Sequence, residues 1–142
     1  MRVLALDHGA ARCGVAISDP TGTLATPLAT VEQPESRRGL AALARLAAER
    51  GVERVVVGLP LTMRGEEGHQ AGEARAFAAR LEARLTVPVE LCDERLTTRQ
   101  AIRAGGAADL DSRAAAHLLE AYLARRSGAR TLAGDAAAAK PR

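Results

Sequence analysis

The stretch RVLALDHGAARCGVAISD, residues 2–19, decides the fold. Residues 2–7 are an apolar run too short for a helix, so they read as a buried strand that ends on an acid, Asp7. The segment from Asp7 to Gly14 is a turn, because Gly9 and Gly14 permit the tight backbone that a hairpin needs. Cys13 to Ser18 is then the returning strand. Asp19-Pro20-Thr21-Gly22 turns the chain again by its residue types, and Leu24 to Val31 reads as a third strand. The chain thus opens as an antiparallel meander.

Beyond the meander the period changes. Ser36 to Arg50 carries Leu40, Leu43, Leu46 and Ala47 at helical spacing, with Gly51 placed as a C-cap. Val55-Val56-Val57 is a β-branched run broken by Gly58-Leu59-Pro60, which marks a buried strand feeding a loop. From Glu67 to Leu85 the positions Ala74, Phe77, Ala78, Leu81 and Leu85 form an apolar stripe. Val87 to Cys92 is a further strand, followed by Asp93 and Glu94. Thr97 precedes Gln100 by three residues, a capping box that opens a short helix. Asp111 to Arg126 reads as the last helix, with Ala115, Leu118, Leu119 and Tyr122 inward. The order βββαβαβαα predicts a single α/β domain over residues 1–126, its mixed sheet antiparallel through strands 1–3 and parallel afterwards, flanked by helices. From Ser127 to Arg142 the small and polar residues read as a disordered tail.

Composition bounds the function. The chain has 142 residues, 47% hydrophobic and 26% charged, which suits one globular domain. Net charge is +3, almost all of the positive charge being arginine since Lys140 is the only lysine. That balance permits a phosphate-bearing partner, and GC-rich coding explains the arginine bias equally well. Phe77 and Tyr122 are the only aromatics, which excludes a base-stacking platform. No apolar run approaches the roughly 20 residues of a membrane span, and Asp7 interrupts the N-terminus before a signal core could form, so a cytoplasmic protein is expected. Cys13 and Cys92 fit no metal or disulfide pattern and read as buried apolar residues. His8, His69 and His117 share no ligand spacing. Neither a GxxxxGK[ST] nor a GxGxxG loop is present.

Three acids stand out. Asp7 and Glu94 follow apolar strands on the side where open α/β sheets hold their ligands. Asp111 lies on the apolar face of its helix, four residues before Ala115, where a carboxylate must be paired, capped or metal-bound. Converging at one sheet edge, the three would suit two hard divalent cations that polarise a phosphate and activate a water. Plainer roles exist for each. Asp7 could bond the hairpin amides, and Asp111 could cap its helix with Asp109 as rival. Asp93 and Glu94 alternate across the strand, so periodicity turns one of them inward without saying which.

Asp7-x-Gly9-x-x-Arg12-x-Gly14-x-Ala16-x-Ser18-Asp19, Val57-Gly58-Leu59-Pro60-Leu61, Asp93-Glu94-Arg95-Leu96-Thr97-Thr98 and Asp111-x-x-Ala114-Ala115 together resemble the YqgF family. These bacterial proteins have an RNase H-like fold and are described both as pre-16S rRNA nucleases and as Holliday junction resolvases. The likeness runs through residues 1 to about 126. It implies that Asp7, Glu94 and Asp111 are catalytic and hold Mg²⁺ or Mn²⁺. Thr62 and Arg64 stand where the family commonly has Asn and Asp, which weakens any carry-over of loop contacts.

Arg12 and Arg95, beside the acids, could hold the scissile phosphate or serve as their ion-pair partners. Thr97 and Thr98 are phosphate candidates at a helix start, where capping explains them as well. The expected function is metal-dependent phosphodiester hydrolysis in 5′-end maturation of the 16S rRNA precursor, on an RNA rather than a branched-DNA substrate. The expected partner is nucleic acid, with the ribosomal particle as a further one, and a monomer is favoured over a dimer. The rivals are a dimeric Holliday junction resolvase and a non-catalytic nucleic-acid-binding factor of ribosome assembly.

Overall fold

The computed structural model describes the backbone of residues 1–94 and 107–139, and the side chains of 1–94 and 111–127. In chain order the elements are β1 (Val3–His8), β2 (Arg12–Ser18), β3 (Ala25–Glu32), α1 (Arg37–Glu49), β4 (Arg54–Leu59), α2 (His69–Glu82), β5 (Val89–Asp93) and α3 (Ala107–Ala139). The five strands form one sheet in the order β3-β2-β1-β4-β5. β1 pairs antiparallel with β2 and β2 with β3, whereas β4 lies parallel to both β1 and β5. This is the α/β mixed sheet that the opening meander and the later strand–helix alternation predict. The hairpin between β1 and β2 closes on a bond from the Gly9 amide to the Arg12 carbonyl at 2.9 Å.

Strand alternation divides the core in two. Leu4, Leu6, Val15, Val55 and Val57 point to one face and pack against Leu40 and Leu43 of α1 and Phe77 and Leu81 of α2. Val3, Ala5, Ala16, Val56 and Cys92 point to the other, where Ala115, Leu118 and Leu119 of α3 cover them. Small residues on this second face let the helix approach closely, and truncating a fully buried leucine such as Leu118 to alanine would cost about 2–5 kcal/mol. Ser18 is buried at the far end of the same face, satisfied by the Val3 amide, which donates to its Oγ at 2.7 Å. Cys13 and Cys92 are both buried and unpaired, as read from their spacing.

Most element ends shift by one or two residues from the sequence reading. Ser36 lies outside α1 as its N-cap, its hydroxyl accepting from the Gly39 amide at 2.9 Å. At the other end Gly51 takes φ +63°, the left-handed turn that its C-cap position requires. The larger difference concerns α3. It begins at Ala107, which places Asp111 inside the helix and not at its cap. It also runs on to Ala139, past Arg126, where a tail was expected. Alanine is the best helix former, so the Ala-rich composition that reads as low complexity is also compatible with a continued helix. The short helix expected from Thr97 lies outside the described residues. Among them, no helix is long and apolar enough to cross a membrane.

Candidate active site at the acid cluster

Asp7 stands near the end of β1 and follows Val3 and Ala5 on the face covered by α3. Its antiparallel partner across the ladder is Gly14 of β2. On the other side Leu6 pairs with Val57, so one residue further along β4 brings Gly58 beside Asp7. Both neighbours of Asp7 therefore lack a side chain. The space over Gly14 is filled by the backbone of α3: a Cβ there would collide with the Asp111 carbonyl and stand 2.9 Å from the Ser112 amide nitrogen. The space over Gly58 is filled by Glu94, whose Cγ would lie 2.8 Å from a Cβ at that position. Two glycines inside strands thus admit two further acids to the flanks of the first.

The register also decides between the strand-end acids. Gly58 pairs with Cys92 and Leu59 with Asp93. Cys92 packs on the α3 face. Alternation then puts Glu94 on the face of Asp7 and Asp93 on the opposite one.

Crowding shows in the electrostatics. The Asp7 carboxyl is hydrogen-bonded to that of Glu94, and its pKa is pushed from 3.8 up to about 8, first by burial, then by this bond and charge of Glu94 and by the charge of Asp111, with His8 opposing. Two carboxyls in contact need a proton or a cation between them. The thiol of Cys13 is raised as well, by burial above all and then by Asp7 and Asp111, so it stays a neutral bystander. On the outer side Arg12 Nε lies 3.2 Å from Asp111 Oδ2. Ser112 anchors the same turn of α3, its Oγ accepting from the Val15 amide at 3.4 Å.

This donor set fits a hard divalent cation. Its donors are carboxyl oxygens brought close together, the ligand type that such an ion prefers. Among the described residues no ready group of three metal ligands is formed. The Asp7 carboxyl is hydrogen-bonded to that of Glu94, and Arg12 engages one oxygen of Asp111. A bound cation would displace the proton and compete with the guanidinium.

The other candidates are distributed as follows. Arg12 joins the cluster through Asp111, whereas Arg95, Thr97 and Thr98 lie outside the described residues. His8 turns away from the acids and stacks on Phe77 with ring centroids 4.6 Å apart, its Nε2 3.5 Å from Glu35 Oε2. His69 and His117 pair with Glu73 and Glu120 on their own helices, remote from any ligand role. The loop after β4 is tied by a bridge between Leu61 and Glu67 and turns at Gly65 with φ +81°. Ser112 escaped the sequence reading, and Gly14 and Gly58 were read only as a turn and a strand break, not for the space they leave. A glycine inside each apolar strand was the available signal for the latter two.

Sheet order and acid edge together define the class: an RNase H-like α/β fold shared with junction-resolving enzymes. Thermus thermophilus RuvC bound to a Holliday junction superposes with a TM-score of 0.58 at 20% identity, covering 89% of this chain and 96% of that one. Fowlpox virus resolvase with Holliday junction DNA gives 0.55 at 14% identity, covering 89% and 99%. Such low identities speak for the fold alone. The chain belongs to the family described as RuvX, Holliday junction resolvase, which matches residues 1–125. A relative from Chloroflexus aurantiacus is 49% identical over 135 residues, 88% of either chain, and bears the name "Putative pre-16S rRNA nuclease". Relatives of the same name from Moorella thermoacetica and Anaeromyxobacter dehalogenans are both 44% identical, covering 88% and 89% of this chain and 96% and 99% of their own. The family resemblance carried by the motifs thus holds.

Proposed function

We propose that this chain is a metal-dependent nuclease that hydrolyses phosphodiester bonds in the 5′ maturation of the 16S rRNA precursor, working in the cytoplasm on the ribosomal particle. The observation that carries the reading is the contact of the Asp7 and Glu94 carboxyls beside Asp111, a concentration of negative charge that costs stability unless a cation is used there. The names of the relatives support the substrate.

In this reading Asp7, Glu94 and Asp111 hold Mg²⁺ or Mn²⁺, which when bound supplies charge for the phosphoryl oxygens and lowers the pKa of a water. Glu94, seated over Gly58, and Asp7, fixed in the ladder, bring their oxygens together. Asp111 rides on a helix locked against β2, so it cannot retreat from the other two. Arg12, now 3.2 Å from Asp111 Oδ2, would be freed by a cation there to turn its guanidinium to a nonbridging phosphate oxygen. Arg95, Thr97 and Thr98 are the further phosphate candidates.

A junction resolvase is the second reading, favoured by the family description and the fold of its neighbours. Paired strand cuts need two sites in a stable dimer, whose interface would exceed roughly 1,000 Å². Among the described residues the large exposed apolar side chains are Leu24 and Met63, a poor basis for such an interface. We therefore favour a monomer acting on RNA. The deciding assay offers an rRNA precursor and a four-way junction side by side with Mg²⁺, with Asp7→Asn as control. Trimming of the precursor that the control abolishes is the expected result. Symmetrical nicks in the junction, a concentration-independent dimer and an untouched precursor would establish the resolvase instead.

A further inference from the structure

A cleft of about 440 Å³ runs between the outer strand β5 and α3, lined by Glu90, Cys92, Asp93, Tyr122, Arg125 and Arg126 among others. Its lining ends at Asp93, one residue before Glu94, and Glu90 and Cys92 alternate with Glu94 to the α3 side of the sheet. From Glu94 to Glu90 the strand covers roughly 13 Å, the reach of a few nucleotides of an extended single strand.

The charges in this cleft are unevenly matched. Glu90 already serves other partners: one carboxylate oxygen takes Arg54 Nη1, and the other accepts from the Tyr122 hydroxyl at 2.7 Å. With Asp93 it sets two carboxylates against the three arginines Arg54, Arg125 and Arg126. Arg125 Nη1 reaches the Cys92 sulfur at 4.0 Å, and a thiol that burial holds in its neutral form is a weak acceptor. Arg126 Nε is buried and has no hydrogen-bond partner among the described residues. Leaving a guanidinium donor buried and unmet costs free energy, and an anion supplies what the fold withholds. Two consecutive helix residues also diverge by about 100°, so the pair can grip from two directions.

Resting on the nuclease reading, we infer that Arg125 and Arg126 form a second phosphate-binding site, which holds the backbone of the single-stranded RNA substrate where it leaves the acid cluster along β5. The site is sequence-blind, because it touches phosphate and the cleft contains no stacking pair of aromatics. It fixes the direction in which the strand crosses the carboxylates, and it gives the arginine-rich composition a specific place to act.

The test is binding of fluorescently labelled single-stranded oligoribonucleotides, followed by anisotropy with a chelator present to stop turnover. A trinucleotide and a strand of about ten nucleotides are compared. For the full chain the longer strand binds more tightly. In the double variant Arg125→Gln, Arg126→Gln that advantage drops by about tenfold, and the slope of log affinity against log salt for the longer strand falls by about 1.4, two single-strand phosphate contacts. Thermal melting verifies that the double variant is folded. Arg125→Lys, which keeps the charge, restores a large part of the advantage when set in the Arg126 wild-type chain. If the variant keeps both the length advantage and the salt slope while the unaltered chain binds and cleaves RNA, the cleft is not the exit path and the nuclease reading stands. If the unaltered chain neither binds nor cleaves RNA, both fall.

Discussion

Gly58 and Glu94 share one volume: the carboxylate of the glutamate lies where the β-carbon of any other residue at position 58 would be, with Glu94 Cδ 3.0 Å from that point. A strand position is kept empty so that an acid from the next strand can lean over it towards Asp7. The methyl of Gly58→Ala would push the Glu94 side chain off this seat, which is flexible enough to move without unfolding the sheet. Mg²⁺-dependent cleavage should fall by about 10²-fold, the usual consequence of displacing a catalytic group by an ångström, with little change in melting temperature. Steady-state kinetics beside a thermal melt checks it.

Gly14→Ala should behave differently. Its Cβ meets the backbone of Asp111, not a side-chain tip, so the whole of α3 must shift or the substitution must strain β2. A loss of about 1–3 kcal/mol or more in unfolding free energy is expected, together with loss of cleavage. Chemical denaturation of the two glycine variants in parallel separates the outcomes: a Gly14→Ala protein as stable as the parent would mean that α3 is not seated as described.

The two acids at the end of β5 should have unequal effects. Glu94→Gln removes a carboxylate in contact with Asp7 and should reduce the cleavage rate by about 10²-fold or more, as should Asp7→Asn. Asp93→Asn alters a group on the opposite sheet face, and its rate should remain at least about tenfold above that of Glu94→Gln. Equal losses for Asp93→Asn and Glu94→Gln would contradict the strand alternation.

Stability without metal should depend on pH in an unusual direction for a carboxylate. Asp7 binds its proton more tightly folded than unfolded, with a pKa near 8 against 3.8. The stabilising effect of that proton is complete below the unfolded value and is lost as pH rises through the folded one, since between them the native state carries the extra proton. Melting temperature in chelator should therefore decline from about pH 5 to pH 8.5. Mg²⁺ should flatten the decline by replacing the proton, and Asp7→Asn should abolish it. A melting temperature in chelator that climbs over this range would contradict the crowded cluster.

Much of the architecture was legible because local patterns and global topology agree. The acid-terminated strand at Asp7, the turn at Gly9 and the β-branched run at Val55 each carry their own signal, and parallel pairing of β4 follows from the intervening helix. The site was legible only in part. Periodicity isolates Asp7, Glu94 and Asp111 as candidates, but the choice of Glu94 over Asp93 needs the register between β4 and β5, a relation between segments that no single segment contains. Gly14 and Gly58 read as turn or strand-breaking residues because a missing side chain says nothing about what fills its place. Arg125 and Arg126 gave no signal at all, since an arginine pair on a helix is ordinarily a solvated face, and their significance lies in the cleft they line against β5. Alanines after Ser127 carry two readings at once, because low complexity and high helix propensity are the same residues.

The docking of α3 over Gly14 has a temporal consequence. Asp7 leaves the ribosome 104 residues ahead of Asp111, which emerges with the helix that shields Val3, Ala5 and Val56 only after all five strands. An incomplete nascent chain can build the sheet and bring Asp7 near Glu94, yet it lacks the third carboxylate and leaves that face open to water. On the role proposed for Asp111, the site is complete only when this last helix has closed over the sheet.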